Sequence, residues 1–214
     1  TRMSTHITVF GATSGIGQCA VEEALRRDHT VRACARSAGD MAPAPGLEPF
    51  PGDALDPATV AEALKGTDAV IYALGIKESV SMLWKEVTLF SESTRILLDA
   101  MQNAGVSRLV AVTGFGAGRS RAAMSSIESL GHKAILGRPY ADKDRQEALI
   151  MDSPLDWTIA RPVILTNGAR TGTCKVLREP KAWRNGLISR ADTACYLIDA
   201  IEQGLDIRGD VVLA

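Results

Sequence analysis

The sequence has little that binds metal or crosslinks a fold. Its four cysteines (Cys19, Cys34, Cys174 and Cys195) form no Cys-x-x-Cys pair, and His6, His29 and His132 stand apart. That spacing argues against a zinc motif and predicts reduced thiols in a cytoplasmic protein with no metal centre. No stretch approaches the roughly 18 apolar residues of a membrane span. The first apolar run reads as a strand entering a glycine turn, not as a signal peptide. Charge of either sign is scarcely in excess: 24 Lys and Arg face 25 Asp and Glu, for a net −1. Nucleic acid and anionic membrane are therefore not expected as partners. There is no low-complexity tract.

What is present fits one globular domain. The 214 residues are 46% hydrophobic and 23% charged. That length builds one sizeable core and is short for two. A single domain over residues 3–214 is expected, with Thr1-Arg2 reading as an expression scar ahead of Met3.

The most informative string is Gly11-Ala12-Thr13-Ser14-Gly15-Ile16-Gly17. It follows the apolar run 7–10 and opens a helix-like stretch over 18–27. Strand, glycine turn and helix is the arrangement that holds a dinucleotide pyrophosphate. Gly11 suits the tight turn, Gly15 the close approach of phosphate, and Gly17 the packing of helix on strand.

Beyond this turn, strand and helix patterns alternate. Strands are expected over 30–35, 47–50, 69–74, 109–113, 157–160 and 211–213, with a short one within 171–177. Asp56-Pro57 reads as an N-cap and N1 pair starting a helix to Lys65 that Gly66 ends. An apolar stripe from Val80 through Trp84 to Met101 predicts a long helix ended by Gly105. Its apolar side packs the core or meets a second copy. A helix is expected near 125–135, and Asp142 is expected to cap another over 143–151. Ser189 with Asp192 resembles a capping box opening a helix to Glu202. Repeated βα units predict an α/β fold, a Rossmann-type doubly wound parallel sheet with helices on both faces.

Arg36 ends the second strand, where NAD-selective sites often carry an acid. An arginine there suits a 2′-phosphate, with Ser37 adding a hydroxyl, so NADP (NADPH) is expected over NAD. Asp53 is placed to accept from adenine, beside Ala54. Ala73, Leu74 and Gly75 end the fourth strand at the edge where ligands lie. Tyr140 and Lys143 are three apart and can share a helix face, although Pro139 suggests that Tyr140 precedes the helix. Phe115, between glycines, could border a flat substrate.

The chain resembles an atypical short-chain dehydrogenase/reductase of the NAD(P)H-binding branch that includes flavin/biliverdin-IXβ reductases and NmrA-like regulators. The likeness rests on the glycine turn, Gly52-Asp53-Ala54-Leu55-Asp56 and Asp68-Ala69-Val70-Ile71. It continues through Lys143 and Glu147 to the strings Trp157-Thr158-Ile159-Ala160-Arg161-Pro162 and Ile188-Ser189-Arg190-Ala191-Asp192. The resemblance implies a cofactor site formed by Gly11, Ala12, Thr13, Ser14, Gly15, Ile16, Arg36, Ser37, Asp53, Ala54, Ala73, Leu74 and Gly75. Toward the nicotinamide it adds Thr113, Lys143, Pro162, Val163 and Ile164. Thr113, Tyr140 and Lys143 are the candidate catalytic residues.

The departures bear on mechanism. The wider family uses Tyr-x-x-x-Lys, and here the spacing is one residue short. The flavin/biliverdin reductases carry a serine after the strand-five threonine, where this chain has Gly114. They carry a histidine where it has Glu147. The expected function is NADPH-dependent reduction of a small planar acceptor, such as a flavin, quinone or carbonyl compound. A non-catalytic NADP-sensing regulator and an epimerase- or dehydratase-like enzyme are the alternatives. A monomer or homodimer is expected.

Overall fold

The computed structural model describes residues 4–75 and 88–214, with side chains throughout these except 126–127 and 129–139. The expected scar at Thr1-Arg2 and the stripe residues from Val80 to Val87, Trp84 included, lie outside the described residues.

In chain order the elements begin β1 (His6–Phe10), α1 (Gly15–Arg26), β2 (Thr30–Ala35), β3 (Leu47–Pro51), α2 (Pro57–Ala63) and β4 (Ala69–Tyr72). Then come α3 (Leu89–Ala104), β5 (Arg108–Val112), α4 (Ser126–Met151) and β6 (Asp156–Pro162). The chain closes with β7 (Ile164–Thr166), β8 (Val176–Leu177), β9 (Leu187–Ser189), α5 (Arg190–Gln203) and β10 (Gly209–Leu213). The main sheet runs β3-β2-β1-β4-β5-β6-β10-β8 and is parallel except for β8, while β7 and β9 pair separately. The protein is thus a single-domain Rossmann-type α/β fold.

Strand alternation assigns the two faces. Ile7, Val9, Val110 and Val112 join one buried cluster with α1 and α5. Phe10, Val70, Tyr72, Leu109 and Ile159 join the other, with α2, α3 and α4. Burial on both faces explains why these strands read as continuous apolar runs. The chain winds outward from β1 to β3, then crosses over to β4 and winds the other way. The reversal opens a crevice at the carboxyl ends of β1 and β4, where Gly11 and Gly75 lie.

Local signals act as expected at several ends. Asp56 accepts from the Thr59 amide (3.2 Å) with Pro57 in the first turn. Gly105 closes α3 at φ +70°. Ser189 accepts from the Asp192 amide (2.9 Å). The Asp192 carboxylate does not complete a capping box. It holds the loop instead, accepting from the Thr171 and Gly172 amides, both at 2.8 Å.

Two expectations fail around α4. This helix runs unbroken through Pro139, so Tyr140 sits within it and not before it. Asp142 caps no helix of its own. It is fully buried and caps α3, accepting from Phe90 N (2.7 Å), Ser91 N (3.3 Å) and Ser91 Oγ (2.5 Å). The acid satisfies orphan donors, but those of a helix some 50 positions earlier.

Candidate functional site

The glycine turn makes tight steric demands. Gly11 adopts φ +81°, and a Cβ there would meet Ala73 O at 2.3 Å. A Cβ on Gly17 would meet Gly11 O at 2.0 Å, so only glycine lets α1 start this close to β1. Ser14 precedes the helix in extended conformation and offers it no side-chain cap. The N–H groups of the first turn are left for an anion.

Two cavities of about 410 Å³ each flank this turn. The first is lined by Gly11, Thr13, Ser14, Arg36, Ser37, Asp53, Ala54, Leu74 and Gly75, among others. The second is lined by Ser14, Gly15, Ile16, Ala73, Thr113, Lys143 and Pro162 and their neighbours. They share Ser14, Leu74 and Gly75 and form one divided cleft over the sheet edge. A dinucleotide fits this shape: adenosine in the first half, diphosphate at the α1 N-terminus, nicotinamide in the second half.

Arg36 is exposed at the mouth of the first half, with no ion-pair or hydrogen-bond partner among the described residues. Ser37 turns its hydroxyl elsewhere, donating to Thr13 Oγ1 (2.9 Å). One Asp53 oxygen accepts from the Leu55 amide (2.9 Å), which leaves the other to the cleft.

In the second half, Lys143 Nζ donates to Thr113 O (2.8 Å). It lies between the rings of Phe90 and Tyr140, 5.1 and 5.2 Å from their centres. Burial pushes its amine down to about 8, against the raising influence of the Glu147 carboxylate. Burial also raises the Tyr140 phenol, which keeps it protonated at neutral pH. Both groups converge on Gly114. A Cβ there would lie 2.9 Å from Tyr140 Oη and 3.7 Å from Lys143 Nζ. A side chain at position 114 is replaced in space by the Tyr140 hydroxyl.

Four residues named from the sequence, Tyr140 among them, do not line either cavity. Ala12 and Val163 are buried in the core, and Ile164 is exposed on β7 with its amide bonded to Gly186 O (3.2 Å). Alternation along β7 presents Leu165 to the cleft in place of Ile164. Phe115 borders no flat ligand either. It is buried in the core, with its amide on Pro162 O (3.0 Å).

Behind the cleft lies a buried charge cluster that sequence reasoning did not assemble. Thr113 Oγ1 donates to Glu147 Oε1 (2.6 Å). Arg161, fully buried, donates to both Glu147 oxygens (3.0 and 2.8 Å) and to Asp210 (2.7 Å). Arg119 adds two bonds to Asp210 (3.2 and 2.5 Å). Both arginines flank Trp183, with guanidinium carbons 5.3 and 5.1 Å from its ring centre. Burial pushes Asp210 up, but the two arginines outweigh it and hold its carboxyl below the ordinary value. Glu147, bonded to Thr113 and Arg161, braces the wall of the cleft from behind. An arginine on an otherwise apolar strand was the available signal, because a buried charge needs partners. Arg190 was also missed, and it lines the second half of the cleft.

Comparison with known proteins agrees with this geometry. A curated relative from Bacillus subtilis (strain 168), described as the uncharacterized sugar epimerase YhfK, is 26% identical over 204 residues, 92% of this chain and 88% of the relative. The structure of ChuY, an anaerobilin reductase from Escherichia coli O157:H7, is similar at TM-score 0.81 and 27% identity, covering 98% and 96% of the two chains. A short-chain dehydrogenase/reductase from Veillonella parvula DSM 2008, solved with NADP, shares the fold at TM-score 0.81 and 18% identity, covering 99% and 95%. The sequence model of the family described as NAD(P)H-binding matches residues 11–204, from the first glycine of the turn to the end of α5, and the chain belongs to that family.

Proposed function

We propose that this protein is an NADPH-dependent reductase acting on a small planar acceptor such as a flavin, a quinone or a conjugated carbonyl compound. The carrying observation is the convergence of Tyr140 Oη and Lys143 Nζ over Gly114, next to the second half of the cleft, which Lys143 and Thr113 line. The bound cofactor supplies the hydride. Lys143, fixed by the Thr113 carbonyl, holds a positive charge next to the phenol. Tyr140 is protonated at neutral pH and can deliver its proton to an acceptor atom lying over the cleft. Thr113 is held from behind by Glu147, so the wall of the site is rigid. The unpaired Arg36 favours the 2′-phosphate, hence NADP over NAD. The likeness to an anaerobilin reductase supports the reaction class.

The Bacillus relative favours a second reading, in which the same Tyr–Lys pair removes a proton from a sugar hydroxyl. In that case the cofactor would be regenerated in each turnover. Steady NADPH oxidation with a panel of flavins, quinones and enones decides between them. A Tyr140→Phe variant is expected to lose at least tenfold in kcat with carbonyl acceptors and to bind NADPH normally. Tight NADPH binding with no oxidation by any acceptor would refute the reductase reading.

A further inference from the structure

The cleft contains a cation that the proposed chemistry leaves unused. Arg190 is the first residue of α5 and lines the half of the cleft that also holds Ser14, Gly15 and Ile16. Asn167 Oδ1 accepts from its Nη1 at 2.8 Å, and no carboxylate pairs with it among the described residues. The position is unfavourable for helix stability. A helix N-terminus carries partial positive charge, so an arginine in the first turn is repelled. The chain accepts that cost and adds an amide that aims the side chain. Arg190 also sits near α1. Burial and the Glu22 carboxylate raise the Cys19 thiol, and the Arg190 guanidinium pulls it back, so its charge is felt one turn into that helix.

The glycine turn itself contains no charged side chain. A diphosphate carries two negative charges, and the helix terminus offsets about half of one. Lys143 faces the same half, but its amine lies between the Phe90 and Tyr140 rings on the Thr113 carbonyl, where its charge serves the phenol. Arg190 is the cation available to the remaining charge.

We propose that Arg190, braced by Asn167, is an oxyanion-binding residue of the nicotinamide half, and that its anion is a phosphoryl group of the cofactor diphosphate. The proposal rests on the cofactor reading above. It adds a second arginine anchor, distinct from Arg36 in the other half.

Calorimetric titration of Arg190→Gln with three probes tests it: NADPH, 2′-phospho-ADP-ribose, and 2′,5′-ADP, which lacks the second phosphoryl group. A charge-assisted bond predicts Kd about tenfold or more weaker for the first two probes. For 2′,5′-ADP the expected change is below about threefold, since that probe does not reach Arg190. Arg190→Lys keeps the charge and is expected to recover part of the loss. The melting temperature of Arg190→Gln is expected to hold or rise, since a repulsive charge leaves the helix terminus. NADPH affinity equal to the parent would overturn the proposal, as would equal losses for all three probes. A loss confined to KM for carboxylate-bearing acceptors, with NADPH affinity intact, would overturn the assignment to the diphosphate. If the parent protein binds none of the probes, the cofactor reading fails as well, so the two failures are distinguishable.

Discussion

Glu147→Gln is the sharpest test of the buried charge cluster. The side chains are nearly the same size, so packing is unchanged and only charge and donor–acceptor chemistry differ. In the parent, Glu147 accepts three hydrogen bonds, one from Thr113 and two from Arg161. A glutamine offers one acceptor oxygen to those three donors and turns an NH₂ group on them. The cluster is neutral with two arginines and two acids, and the change leaves it with one uncompensated charge beside a fully buried guanidinium. Breaking a buried pair from one side costs about 3–5 kcal/mol. For a domain of this size that is a fall in Tm of roughly 6–20 °C. Thermal and urea unfolding of the parent, Glu147→Gln, Glu147→Leu, Arg161→Met and the Glu147→Leu/Arg161→Met pair would measure it. The pair is expected to be clearly more stable than the sum of its single changes, because it removes both charges together. A Glu147→Gln Tm within about 2 °C of the parent would refute the reasoning, as would simple additivity in the pair.

Three other predictions follow from separate features. The folded protein sheds the Lys143 proton near pH 8 and the unfolded chain near 10.5, so in that window the unfolded chain holds more protons and stability rises with pH. The urea midpoint of the parent, relative to Lys143→Met, is expected to climb between about pH 7 and about pH 10, and parallel profiles would contradict it. Gly17→Ala places a Cβ 2.0 Å from Gly11 O, so α1 must move off β1. Its NADPH affinity is expected to fall about tenfold or more with a lowered Tm, read by fluorescence titration and by melting. Asp142→Ala removes the cap of α3 and is expected to cost about 2 kcal/mol or more. Asp142→Asn, which keeps an acceptor, should cost less, and equal denaturant midpoints for the two variants would count against the cap.

Much of the fold is written in short-range patterns. Strands buried on both faces appear as apolar runs, and Asp56-Pro57, Gly105 and Ser189 mark helix ends through contacts within a few residues. The glycine turn is legible for the same reason, since its steric demands involve Gly11, Gly17 and the strand beside them. Reading fails where the partner is far along the chain. Asp142 looks like a local cap because a local pattern cannot show that Phe90 and Ser91 are waiting across the interface. Pro139 suggests a helix boundary through its missing N–H, yet α4 continues through it and carries Tyr140 toward Lys143. The Glu147–Arg161–Asp210 cluster joins α4, β6 and β10, and no spacing rule connects them. Arg190 belongs to a recognisable string, but its direction toward the cleft depends on the packing of α5 beside α1.

The wall common to the two halves of the cleft has a thermodynamic consequence. Ser14, Leu74 and Gly75 border both cavities, so a ligand that fills one half ends at the threshold of the other. A mononucleotide can gain only the contacts of its own half and loses its full translational freedom for them. A tethered pair loses that freedom once, and its second half then arrives at an effective concentration on the order of millimolar or above. The divided cleft thus discriminates by connectivity as well as by shape. Free adenine nucleotides, however abundant, compete from a standing disadvantage against a ligand whose two ends are joined across Ser14.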